Sequence, residues 1–195
     1  MPQIPSVTKA FILACVGVFC LQWLLPWIEI PLELWPVQSG RFEIWQVLTY
    51  AFLHDRNNIG HIFFNMLGLF MFGSELERVW GPRRYIQILV ASTLTAAAAQ
   101  LLFTWLMGID SPTIGASGAI FGLLLSFGML FPDRIIVPLL PPIPMKAKYF
   151  VAIFGGIEIL LVFNQSASGI AHIAHVGGMI GAWALIRYWR GSRRR

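Results

Sequence analysis

Three sets of polar residues in an otherwise apolar chain have the types and spacing to do chemistry. Ser117 lies among glycines in the stretch TIGASGAIFG (113–122), His61 and Asn65 stand four apart, and His172 and His175 three apart. A serine hydroxyl is a weak nucleophile unless a neighbouring base takes its proton, and imidazole is the commonest such base. Glycines around a serine let backbone N–H groups approach a substrate carbonyl, and a helix N-terminus favours the negative charge that then develops. His61 and Asn65, at i and i+4, share one helix face. Two side-chain donors there suit an oxyanion hole, completed by the backbone N–H of Ser117 with Gly115 beside it. One such donor is worth about 2.7–4 kcal/mol in a transition state. The same pair would also serve as interhelical glue worth roughly 0.6–2 kcal/mol. The glycines have an equally plain use, because small residues four apart let helices pack closely.

His175 lies one turn deeper in its segment than His172, so it is the expected general base and later general acid. His172 belongs nearer the water boundary, in a supporting role. A histidine pair at i, i+3 can also ligate a metal, but no H-E-x-x-H arrangement and no Cys or Asp cluster accompanies it, so no metal is expected. Among the acids, Asp110 precedes Ser117 in a loop, Asp133 falls on the wrong side of the membrane, and Glu158 sits within an apolar run without an obvious partner. A Ser117–His175 dyad is the economical expectation.

The elements that must position these residues are set by composition. Of 195 residues, 57% are hydrophobic and 12% charged, with a mean hydropathy of +0.70. Soluble domains are nearer half apolar and a quarter charged, so part of the solvent must be lipid. The length suits one domain, 1–195. Cys15 and Cys20 read as small apolar residues rather than a disulfide. Apolar segments run approximately 8–28, 59–77, 85–107, 115–131, 148–164 and 170–189, each near the 17–25 residues of a spanning helix. The fold expected is all-α, six transmembrane helices. Gly81-Pro82, Asp110-Ser111-Pro112 and residues 164–169 separate neighbouring segments, and Pro132 to Pro144 forms a hinge that cannot be helical throughout.

Orientation follows the positive-inside rule. Lys9, Arg78, Arg83, Arg84, Arg134, Lys146, Lys148, Arg187, Arg190, Arg193, Arg194 and Arg195 fall on one side of a six-pass topology, leaving Arg41 and Arg56 on the other. Both termini are then cytoplasmic. The basic tail, 190–195, is a topology signal and a headgroup contact, and nucleic acid is not an expected partner. The first run lacks a basic n-region and a cleavage site, so it reads as a retained helix. The long loop from about Glu29 to Asn58, rich in Trp and Pro, is expected to lie in the interface on the outer side. Ser117, His61, Asn65, His172 and His175 all fall at outer ends of segments. Segment four has about 17 apolar residues, roughly 25 Å at a 1.5 Å rise, against a hydrocarbon near 30 Å. Ser117 is therefore expected several ångströms below the outer surface, where a polar group defaults to function.

Together, Gly115-Ala116-Ser117-Gly118, His61-Ile62-Phe63-Phe64-Asn65 and Ala174-His175-Val176-Gly177-Gly178 resemble the GxSG, HxxxN and AHxxG motifs of the rhomboid intramembrane serine proteases, in order, spacing and membrane side. The resemblance covers essentially the whole chain. It implies a Ser117–His175 dyad, with His61, Asn65 and the Ser117 amide holding the oxyanion. It implies an aromatic ring of Phe121 on the catalytic histidine and a structural role for Glu77 at the end of the second helix; separately, the small-residue spacings Gly118/Gly122 and Ala174/Gly178/Ala182 would let segments four and six pack closely. Segment five with the loop near 166–170 would serve as a substrate gate. One departure stands out: Trp45-Gln46 replaces the Trp-Arg of many members, which puts the usual arginine-centred loop network in doubt.

The function implied is a serine endopeptidase that cuts other proteins' transmembrane segments near their outer ends, without a cofactor. Its partners would be those substrates and the bilayer; the oligomeric state is not readable. The location expected is a bacterial cytoplasmic membrane, with the site opening to the extracytoplasmic side. The alternative is an inactive relative that binds and escorts transmembrane clients, although such proteins usually lack the serine or the histidine. A transporter would carry polar groups on into the cytoplasmic half.

Overall fold

The computed structural model describes residues 3–139, 141–163 and 169–192. Its longer helices are α1 (Ser6–Leu24), α2 (Ile59–Gly68), α3 (Ser74–Met107), α4 (Ser117–Leu130), α5 (Ala147–Phe163) and α6 (Gly169–Ser192). A π-helical turn, Leu69–Gly73, joins α2 to α3. By length and composition alone, Ser6–Leu24 and the 49-residue stretch Ile59–Met107 are long and apolar enough to cross a membrane, and α4 is a shorter apolar helix. The break expected at Gly81-Pro82 is present. Gly81 has φ 75° and ψ 166°, a left-handed conformation that needs glycine, and the proline after it lacks an N–H to continue the helical ladder.

The core is built where α3, α4 and α6 meet, and small residues set its closeness. A methyl group built on Gly177 would fall 2.6 Å from Ala99 Cβ and 2.7 Å from the Thr95 carbonyl oxygen; one on Gly178 would overlap the Gly118 carbonyl. Backbones this close gain dispersion contacts that larger side chains would forbid. The core continues through Leu69, Leu76, Ile88 and Leu123, all fully buried. The outward faces are apolar as well, with Leu24, Trp105, Leu160 and Phe163 exposed. That distribution suits a lipid surround.

Two polar devices hold the periphery. Glu77 caps α1 from across the bundle: its carboxylate accepts from Val7 N–H at 2.9 Å, Thr8 N–H at 2.7 Å and Thr8 Oγ1–H at 2.8 Å. Helix N-termini leave donors without intrahelical partners, and a carboxylate there satisfies them and opposes the dipole. The acidic position implied for Glu77 therefore has a physical basis. In the loop between α1 and α2, Gln46 is fully buried; it accepts from Trp35 N–H and donates to the Arg41 carbonyl at 3.0 Å. A neutral amide thus organises the loop where an arginine was in question. Arg56 pairs with Glu29 at 2.6 Å nearby. Trp27, Ile44 and Trp45 of this loop are exposed, as an interfacial segment requires.

The all-α expectation needs one amendment. Within the proline-rich hinge, Ile135–Ile136 and Met145–Lys146 pair as a minimal antiparallel ladder. Proline denies this segment a helix but leaves room for two short extended pieces.

Candidate active site

Ser117 is the first residue of α4, placed there by the backbone before it. Gly115 has φ +118°, a conformation that stops the helix from starting earlier, so α4 begins two residues later than the expected segment. The approach is braced by the first loop. Leu34 and Thr113 exchange both backbone hydrogen bonds at 3.0 Å, and Gly115 N–H donates to the Tyr50 carbonyl at 2.9 Å. As the opening residue of the helix, Ser117 has an N–H with no intrahelical acceptor.

Close packing of α6 on α4 brings His175 to the serine. Its Nε2 lies 2.7 Å from Ser117 Oγ. The Phe121 ring, one turn along α4, stacks on the imidazole with centroids 4.3 Å apart and planes 13° from parallel. On its other edge, His175 Nδ1 lies 2.8 Å from Glu158 Oε2, and His172 Nδ1 reaches the same oxygen. An ionised carboxylate only accepts, so each Nδ1 must carry the hydrogen. His175 Nε2 is then the bare lone pair, aimed at the serine hydroxyl. Sequence reasoning left Glu158 without a partner; the structure joins it to both His172 and His175. All three side chains are largely buried. The only sequence-level signal for Glu158 was its charge inside an apolar run.

Two residues before the serine, His61 and Asn65 converge on Gly115. A methyl group on Gly115 would lie 2.7 Å from His61 Nε2 and 3.8 Å from Asn65 Nδ2. His61 Nδ1 accepts from the Asp55 N–H at 3.3 Å, which leaves Nε2–H as the donor facing the site. Asn65 is buried, and its Nδ2 has no partner among the described residues. Buried donors of this kind are normally satisfied, so the vacancy fits an acceptor that arrives with a substrate. Gly115 itself cannot donate as expected, because Tyr50 already occupies its N–H; what it contributes is space. The gate loop near 166–170 lies largely outside the described residues. An apolar cavity of about 610 Å³ between α4, α5 and α6, lined by Leu125, Gly128, Gly155 and Met179, lies two to three turns along α4 from Ser117.

His54 escaped the sequence reading. It is fully buried in the first loop, and its ring lies 5.2 Å from that of His61. Burial first, and then the neighbouring His61, push its pKa down to about 4.

A family model described as the Rhomboid domain matches residues 41–191, which include every site residue above. The chain belongs to the rhomboid family. It is similar to the rhomboid protease GluP of Bacillus subtilis (32% identity over 72% of this chain and 25% of that protein). It is also similar to the mitochondrial RHOMBOID-like protein 12 of Arabidopsis thaliana (30% over 95% of the chain and 60% of that protein). The rhomboid protease GlpG of Klebsiella pneumoniae is 32% identical over 58% of the chain and 42% of that protein. The chain thus spans a quarter to three fifths of these relatives. The rhomboid family is membrane-embedded and includes serine proteases. Because relatives in Arabidopsis and yeast are mitochondrial, membership does not carry the expectation of a bacterial membrane.

Proposed function

We propose that this rhomboid is an intramembrane serine endopeptidase acting on the transmembrane segments of other membrane proteins. The observation that carries the reading is the 2.7 Å contact between Ser117 Oγ and His175 Nε2, with His61 Nε2 and the unpartnered Asn65 Nδ2 close to Gly115, two residues before the serine. In the reading, the chain crosses six times, with α2, the π-helical turn and α3 up to Gly81 making the second pass and the rest of α3 the third; both termini are cytoplasmic and the site opens to the outer side. The distribution of lysine and arginine supports that orientation.

The reaction follows from the donors and acceptors. Ser117 Oγ–H passes its proton to His175 Nε2 as the oxygen attacks the scissile carbonyl. The oxyanion that forms takes hydrogen bonds from Ser117 N–H, His61 Nε2–H and Asn65 Nδ2–H. Its collapse breaks the C–N bond, and the imidazolium returns the proton to the leaving amine. A water, deprotonated by His175, then attacks the acyl-serine ester; collapse of this second oxyanion breaks the bond from the acyl carbon to Ser117 Oγ, and the imidazolium returns the proton to Oγ as the acid product leaves. Phe121 holds the imidazole in plane through both transfers. A substrate helix must unwind to present its carbonyl, so helix-weakening residues near the cut are expected.

The test is cleavage of a fluorogenic transmembrane substrate by the purified chain in liposomes. Cleavage that Ser117→Ala abolishes supports the reading; undiminished cleavage by that variant ends it. A chain that binds such helices without ever cutting them would instead be the inactive client-binding form.

A further inference from the structure

Glu158 is a carboxylate in the C-terminal half of the apolar helix α5, and a charge there is costly unless paired and hydrogen-bonded. Its partners are unusual: both are imidazoles of α6, one turn apart, and both donate to the same oxygen, Oε2. Glu158 is buried, and its remaining helical neighbours on α5, Phe154, Gly155 and Leu161 among them, are apolar. The two histidines therefore fix where the carboxylate sits, and the carboxylate fixes how His175 is turned.

We propose that Glu158 is a positioning residue for the protease reaction, extending the Ser117–His175 pair into a three-residue relay, with His172 as a second anchor that holds the carboxylate in place. This rests on the serine protease reading above. Glu158 acts through His175: by accepting the Nδ1 proton it selects the tautomer whose Nε2 can take the serine proton, and it faces the imidazolium formed during attack. Glu158 itself stays ionised throughout, and protons move only between Ser117, His175, the leaving amine and the attacking water. His172 does not touch Ser117; the rings of His172 and His175 lie 6.0 Å apart, edge to face. Its part is to supply the second N–H, so that the carboxylate has one preferred rotamer when His175 moves. The arrangement also links the base on α6 to the position of α5, since Glu158 bonds both α6 histidines at this level.

The expected behaviour follows from tautomer chemistry. An amide in place of the carboxylate can donate to Nδ1 and so force the proton onto Nε2, the wrong nitrogen; in a serine protease triad an equivalent change cost about 10⁴ in kcat. Cleavage of a fluorogenic transmembrane substrate in liposomes is measured for wild type, Ser117→Ala, Glu158→Gln and Glu158→Asp, with Tm recorded for each. Glu158→Gln should lose at least about 100-fold in kcat with KM changed less than about twofold, and Glu158→Asp should recover at least about tenfold of that loss. ¹⁵N spectroscopy of labelled histidine should show His175 protonated at Nδ1 in wild type and at Nε2 in Glu158→Gln. A folded Glu158→Gln enzyme with wild-type kcat, a change confined to KM, an Asp variant no better than Gln, or an Nε2-protonated His175 in wild type would each overturn the inference. Cleavage that survives Ser117→Ala would instead sink the protease reading itself, and the tautomer would still report on Glu158.

Discussion

Glu77 and Glu158 are both carboxylates buried in the apolar bundle, and the company they keep separates a clamp from a chemical group. Glu77 takes two backbone N–H groups and a hydroxyl at the start of α1. None of those donors exchanges a proton in the working pH range, so the contact can only hold α1 in place. Glu158 takes two imidazoles, one of which also touches the serine hydroxyl. Its donors can gain and lose protons, so in the proposed reaction the same side chain would serve a transfer. Burial alone does not distinguish the roles; the identity of the donors does.

Substitutions at the two sites should therefore fail differently. The largest effect expected is at the chemical end. His175→Asn should lower kcat by at least about 10³-fold while leaving Tm within a few degrees, measured by substrate cleavage and thermal unfolding in detergent.

Next comes a buried titratable group that serves neither role. The pKa of His54 is held near 4 by burial, against about 6.5 in an unfolded chain. The unfolded state binds the proton first, so stability is full above pH 6.5 and falls as the pH drops from 6.5 towards 4. The loss is on the order of 3 kcal/mol. His54→Asn should flatten that acid-side fall in Tm, and a slope that persists unchanged would mean other groups carry it.

Glu77→Ala should come third. Removing the carboxylate leaves the Val7 and Thr8 N–H groups without acceptors, at roughly 1–3 kcal/mol. Tm should fall while kcat per folded molecule stays within about twofold. A loss of kcat without a loss of Tm would break the distinction between clamp and relay. The smallest effect is expected at His172→Phe. With one of its two anchors gone, Glu158 should still meet His175, and kcat should fall by about three- to tenfold.

Much of the site could be read in the chain. Ser117 among glycines, His61 and Asn65 on one face and His175 at the head of a small-residue run are local patterns, and each stands near the start of its apolar segment. What escaped depends on packing between elements. Which oxygen Glu158 presents, and to which histidine, is set by the register of α5 against α6, which no local spacing encodes. The acceptor of the Gly115 N–H, the Tyr50 carbonyl, was not legible because it lies 65 residues earlier in the chain, in a loop whose path is set by hydrogen bonds between distant residues. The same holds for Gln46. Its replacement of an expected arginine looked like a defect, until its amide was seen to bond both strands of the loop's path. The hinge between α4 and α5 was legible as non-helical, but its two-residue ladder was not, because extended pairing depends on a partner ten residues away.

The central claim is that Ser117 is a nucleophile activated by His175. The most direct measurement is reaction of the purified protein with a fluorophosphonate, followed by peptide mass spectrometry to locate the adduct. A single adduct on Ser117, lost in His175→Asn, is the result expected. An adduct on Ser117 that forms equally fast without His175, or no adduct on Ser117 in a folded protein, would contradict it.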